Sequence, residues 1–221
     1  MVLMQAVTTL AEKVAHDIRA LLTHGALRPG QKLSEAGLAE RLCVSRNTLR
    51  EAFRLLTKDG LLRHEANRGV FVSVPTAASI IDIYRVRRVI ECAALRTGYA
   101  QHPAVGRMAD AVQHAKDLRA ARDWVGVGSA NMDFHAAIVE LADSPRLGAF
   151  YGNIAAELRL AFGLLEEPEV MHAPFIPMND ELVGLMQRGQ SEEAARRLDQ
   201  YLVRSERSVL ASFSRLSAAA S

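Results

Sequence analysis

Residues 44–60 read VSRNTLREAFRLLTKDG, and the spacing within them decides the architecture. Leu49, Ala52, Phe53 and Leu56 recur at helical intervals and form one apolar face. Ser45 is placed to cap the helix, and Asp59-Gly60 to stop it. Arg46, Arg50, Arg54 and Lys58 follow one another every four residues. On a helix they make a single cationic stripe opposite the apolar face.

The flanks supply the context. Leu10, Val14, Ile18, Leu21 and Leu22 predict a helix over 8–24, capped by Thr8 or Thr9 and ended by Gly25 and Arg28-Pro29-Gly30. Ser34 opens a short helix with Leu38, Ala39 and Leu42 inward, and Cys43-Val44 is a tight turn before Ser45. Downstream, LLRHE and VFVSV flank Ala66-Asn67-Arg68-Gly69, which predicts a hairpin. Three helices and a hairpin make a winged helix-turn-helix. A charged helix face is often merely solvated. Here the stripe lies on the second helix of a helix-turn-helix, the element that enters a major groove. Arg46 and Arg50 suit guanine edges, while Ser45, Asn47 and Thr48 suit base edges or phosphate. Arg68 and Gly69, at the tip of the wing, suit a phosphate or minor-groove contact. Double-stranded operator DNA is the expected partner.

Pro75-Thr76 marks a boundary, giving a DNA-binding domain at 1–75 and a helical domain at 76–221. The fold class is mostly α: a winged helix-turn-helix followed by an all-α bundle. Bundle helices are expected over 77–100, from Pro103 to about 121, over 123–142, from Ser144-Pro145 to about 165, and over 178–188 and 191–213. A loop holding Pro168, Pro174 and Pro177 precedes the last two. A bundle of this kind has an enclosed centre where ligand sites are built.

Net charge is only +2, but residues 1–75 carry 11 Lys/Arg against 7 Asp/Glu. The basic surplus is therefore N-terminal, where DNA contact is expected. Cys43 and Cys92 form no metal pattern and read as free thiols. No signal peptide and no membrane-spanning run is read, so a cytoplasmic location is expected. Gly126-Val-Gly-Ser follows no strand and is not a phosphate loop. No nucleophile stands beside a base, so an enzyme is not expected.

With these residues in hand, PGQKLSEAGLAERLCVSRNTLREAFRLLTKDGLL and the wing RHEANRGVFV resemble the winged helix of the GntR family of bacterial transcription regulators. The second half resembles the FCD ligand-binding domain of the FadR-like subfamily, through YRVRRVIE, FHAAIVELADSPRL and ELVGLMQRGQSEEAARRL. The resemblance implies a homodimer on an operator palindrome whose grip changes when a small acidic metabolite binds. Two departures stand out: Ala36 where some relatives place Arg, and Cys43 where Gly is usual. If that turn needs a positive φ, Cys43 is strained.

The resemblance also implies a metal site on the floor of the effector pocket: an Asp four residues before the FH histidine, and a His on each of the last two helices. Here His135 matches the first histidine, but Asn131, Asn179 and Tyr201 stand at the other positions. Asp133 is two residues from His135, about 200° round the helix, and cannot share an ion with it. One imidazole, two amides and a phenol carry no anion and suit a transition metal poorly. No cofactor is expected, although His172 could substitute as a ligand. The preferred reading is a surviving polar effector pocket of Asn131, His135, Asn179 and Tyr201. His135 could instead be a core histidine with satisfied hydrogen bonds. Without an ion, an anionic effector needs a protein cation: Arg87, Arg88 or, less strongly, Arg159. Arg87 could equally be tied to Glu91, four residues on, as an intrahelical ion pair, worth little if exposed. Two alternatives remain, a metal-dependent regulator and a DNA-binding protein with a vestigial bundle. Effector binding is expected to act through the helix near 77–100.

Overall fold

The structure is a computed structural model that describes residues 9–165 and 167–219. Helix α1 (Leu10–Thr23) opens on a capping box: Thr9 accepts from the Glu12 amide, and the Glu12 carboxylate accepts from the Thr9 amide at 2.7 Å. Thr8, the other candidate cap, lies outside the described residues. Ser34 caps α2 (Glu35–Arg41), and Ser45 caps α3 (Arg46–Lys58) by accepting from the Thr48 amide at 3.1 Å. Between α2 and α3, Cys43 takes φ +52, so the turn does require the left-handed region. The wing pairs β1 (Leu62–Glu65) with β2 (Gly69–Val72), antiparallel, in the register Leu62↔Val72 to Glu65↔Gly69. Asn67 and Gly69 turn the hairpin at φ +61 and +105. Ile18, Leu22, Leu49, Phe53, Leu56, Leu61 and Val72 close this first core.

The rest is helical: α4 (Ala77–Thr97), α5 (Pro103–Ala120), α6 (Trp124–Glu140), α7 (Pro145–Phe162), α8 (Pro168–His172), α9 (Phe175–Gln187) and α10 (Ser191–Ala219). The Pro-rich segment differs from expectation. It holds the short helix α8, and α9 starts at Phe175 rather than near 178. Proline is tolerated there because Pro168 and Pro177 fall in first turns, where the amide has no intrahelical partner. Helix α10 also runs past 213, to Ala219.

One helix joins the two cores. Along α7, Gly152 faces Arg19, Ala156 and Leu160 belong to the N-terminal core, and Gly163 meets Pro29. These residues recur at three- and four-residue spacing, so they form one mostly small-residue stripe that lets α1 approach closely. Leu158, Ala161 and Phe162 on the same helix pack into the bundle core. The helix packed between the bundle and the winged helix is therefore α7.

Candidate functional site

The cationic stripe of α3 forms as its spacing requires. Leu49, Ala52, Phe53 and Leu56 are buried, while Arg46, Asn47, Arg50, Arg54 and Lys58 are exposed. Ser45 and Thr48 spend their hydroxyls on the cap, Oγ to Oγ1 at 2.9 Å. The cations differ in their partners. Arg50 Nε donates to Glu35 Oε2 at 2.8 Å, an ion pair between α3 and α2. Arg68 pairs with Glu65 at 2.5 Å and lies over the Phe71 ring, though it stays 71% exposed. Among the described residues, Arg46, Arg54 and Lys58 have no ion-pair partner. Sequence reasoning missed both carboxylates that hold these arginines, and it missed Lys32. Lys32 pairs with Phe71 in an isolated bridge, and its side chain runs beside Gly69 at the wing tip. An isolated lysine before a helix gave no periodic signal.

In the bundle, Asn131, His135, Asn179 and Tyr201 converge from α6, α9 and α10. Asn179 Nδ2 donates to Asn131 Oδ1 at 2.9 Å, and the Tyr201 hydroxyl stands 3.1 Å from both Asn131 Oδ1 and His135 Nε2. A second layer lies beneath. His135 Nδ1 donates to Glu91 Oε2 at 2.7 Å; Arg87 Nε and the Tyr151 hydroxyl donate to Glu91 Oε1 at 2.6 and 2.7 Å. Arg87 and Glu91 are 1% and 0% exposed, so their ion pair is buried rather than on the surface. Burial opposes ionisation of Glu91, but the Arg87 and His135 partners outweigh it and lower its pKa to about 2. Burial pushes the His135 pKa down, so the imidazole is held neutral. Tyr151 left no periodic signal as a site residue; only the fold brings it to Glu91.

The family's metal can be tested against these donors. His135 is oriented by Glu91 in the manner of a metal-ligating histidine. Its Nε2, however, faces a phenol, and burial raises the pKa of that phenol strongly. Asn131 Oδ1 already accepts from Asn179 and Tyr201. Glu91 is saturated by Arg87, Tyr151 and His135, and the Arg87 cation stands in the second layer. Among the described residues, no three His, Cys, Asp or Glu side chains are placed to share an ion. The residues present do not fit a divalent metal. Asp133 points elsewhere, with His24 Nε2 at 3.8 Å. His172 stands against Gly128, seven residues before His135 on α6, and its ring packs edge-on to Phe162.

The candidate cations separate. Arg88 forks onto Asp199 at 2.7 and 3.2 Å on the surface. Arg87 is matched by Glu91. Arg159 is 6% exposed and has no carboxylate partner among the described residues. Its Nη2 donates to the Val125 carbonyl at 3.4 Å, and its Nε has no acceptor.

Comparison with known proteins bears on the whole chain. Residues 10–72 match the family described as "Bacterial regulatory proteins, gntR family", and residues 82–204 match the FCD domain. The chain is 33% identical over 141 residues to the Nta operon transcriptional regulator of Aminobacter aminovorans, covering 61% of this chain and 64% of that protein. Over 146 residues it is 31% identical to the HTH-type regulator BphR of Paraburkholderia xenovorans, covering 62% of this chain and 60% of that one. These matches therefore span less than two thirds of either relative's length. The crystal structure of a GntR transcriptional regulator from Rhodococcus sp. RHA1 is 39% identical, covers 91% of this chain and 97% of that one, and superposes with a TM-score of 0.80. E. coli McbR/YncC, at 19% identity and a TM-score of 0.81, shares the fold. With a winged helix matching one domain and a bundle matching the other, the chain belongs to the gntR family of bacterial regulatory proteins and carries the FCD domain, the architecture of the FadR-like subfamily.

Proposed function

We propose that this protein is an operator-binding transcription regulator, acting as a homodimeric repressor, whose grip on DNA is modulated by a small molecule in the bundle without a metal ion. The observation that carries the DNA-binding reading is the exposed Arg46–Arg54–Lys58 face of α3, without an ion pair among the described residues and backed by the buried Leu49, Phe53 and Leu56. A helix so anchored presents its N-terminal side chains to a major groove. Glu35 and Glu65 hold Arg50 and Arg68 near the surface they would contact, and each arginine can be released to a phosphate or base when DNA supplies the competing acceptor.

Sensing is supported by polar atoms left without partners in the bundle: Asn179 Oδ1, within the Asn131–His135–Tyr201 cluster, and Arg87 Nη2, in the layer beneath it. Buried polar atoms of this kind are a place for a ligand's donors and acceptors. A vestigial bundle would have replaced them with apolar packing at lower cost.

The test is selection of a duplex from a random library by the purified full chain, followed by fluorescence anisotropy of that duplex across a salt series. A steep salt dependence and loss of specific binding in Arg46→Ala are expected. A protein that retains no duplex above background would refute the reading.

A further inference from the structure

The guanidinium of Arg159 is the one strongly buried charge among the described residues that the fold leaves without a counterion. Every other cation with so little exposure has one: Arg87 has Glu91. Isolated charge is costly to bury, and burial alone lowers the Arg159 pKa. The surroundings look built around the group. A Cβ at Gly25, which takes φ +73, would stand 2.5 Å from Arg159 Nη2. A Cβ at Gly128 would stand 2.8 Å from His172 Nε2. Two glycines on different elements thus make room for two buried polar side chains. His172 is 5% exposed and has no hydrogen-bond partner among the described residues. The Phe162 ring, its centroid 5.2 Å from that of His172, supplies an apolar wall.

We propose that Arg159 and His172 form the anion-holding end of the effector site and take the carboxylate of a small monocarboxylate with an apolar body. The inference rests on the sensing role proposed above and names its ligand class. The free Nε and the weakly engaged Nη2 share one edge of the guanidinium, which suits a carboxylate forked onto it. His172 is held neutral, its pKa pushed down to about 4 by burial and the Arg159 charge, so it adds a donor but no charge. One net positive charge calls for one negative charge, and the Phe162 wall favours an apolar remainder. The position also gives the site an output. Arg159 lies on α7, its guanidinium against the Gly25 turn that ends α1, and Ser129 Oγ donates to the His24 carbonyl at 3.4 Å beside it. An anion that draws Arg159 off Gly25 changes the seating of the winged helix on α7.

The test is thermal unfolding of the full chain titrated with sodium benzoate, sodium acetate or sodium phosphate, at constant ionic strength against chloride. Benzoate is expected to raise Tm saturably and more than acetate, and phosphate to match chloride. Arg159→Gln should abolish the benzoate response, and His172→Gln should weaken half-saturation by about tenfold or more. If Arg159→Gln does not fold, the His172→Gln shift decides. A wild-type response to benzoate no different from chloride, a response unchanged in the variants, or an equal or larger response to phosphate overturns the proposal. Because unfolding needs no DNA, this result stands apart from the operator test. Benzoate binding without operator binding refutes the regulator reading alone; operator binding without a benzoate response refutes the anion site alone.

Discussion

Glu91 Oε2 accepts from His135 Nδ1 at 2.7 Å, while its other oxygen takes Arg87 and Tyr151. The carboxylate that orients a metal-ligating histidine is thus in place, and the ligands that would complete the metal site are not. The Arg87–Glu91 pair is held at 1% and 0% exposure, where losing one partner strands the other. Glu91→Gln is expected to destabilise the protein by about 3–5 kcal/mol in urea unfolding. The double variant Arg87→Met, Glu91→Leu should lose much less than the sum of the single changes. Additive losses would show that the pair is not coupled.

The chemistry at three positions should control metal binding. Asn131→Asp, Asn179→His and Tyr201→His together would set an aspartate and two histidines beside the oriented His135. This triple variant should bind zinc stoichiometrically by elemental mass spectrometry and gain thermal stability from it, while the natural sequence gains none. Zinc bound by the natural protein and lost on His135→Ala would contradict the fit described here.

The two arginines proposed to meet DNA, Arg46 and Arg50, should behave differently. Arg46 has no ion-pair partner among the described residues, and Arg46→Ala should weaken specific duplex binding by about 1–3 kcal/mol. Arg50 is shared with Glu35 at 2.8 Å. Glu35→Gln should therefore tighten binding to unrelated duplex and narrow the ratio of specific to nonspecific affinity, measured in the same anisotropy series. An unchanged ratio would mean that Glu35 does not restrain Arg50 in solution.

Acid should weaken the fold in a defined window. The folded-state pKa of His172, about 4, lies below the ordinary 6.5, so the unfolded chain takes up its proton first as pH falls. Stability from this residue is complete above about 6.5 and is lost as pH falls from there towards 4, by about 3 kcal/mol in all. His135 shifts in the same direction. In His172→Gln the slope of unfolding free energy over this window should flatten; an unchanged slope would assign the acid sensitivity to other groups.

Cys43 holds φ +52 in the turn before α3. A side chain with a Cβ costs about 1–2 kcal/mol in that region. Cys43→Gly should raise unfolding free energy by about 0.5–1 kcal/mol once glycine's greater unfolded freedom is subtracted. Duplex affinity should stay unchanged.

What the sequence determined by itself was local. Caps, apolar periods and turn residues place α1 to α7, the start of α10 and the wing within a few residues, because each rests on a 3.6-residue or two-residue repeat. The cationic face of α3 was legible for the same reason: fixed spacing fixes which side chains share a face. The start of α9 and the existence of α8 were not, since prolines in first turns mimic a loop. Only the tertiary structure decided which charges meet. Glu35 reaches Arg50 and Tyr151 reaches Glu91 from distant elements. Arg159 is left alone beneath Gly25, a residue of the other domain. Charge–charge partnership depends on which surfaces pack and how much water they exclude, and no local repeat records that. So the weakest of the candidate cations in the sequence became, once α7 was seen against α1, the one with no counterion among the described residues.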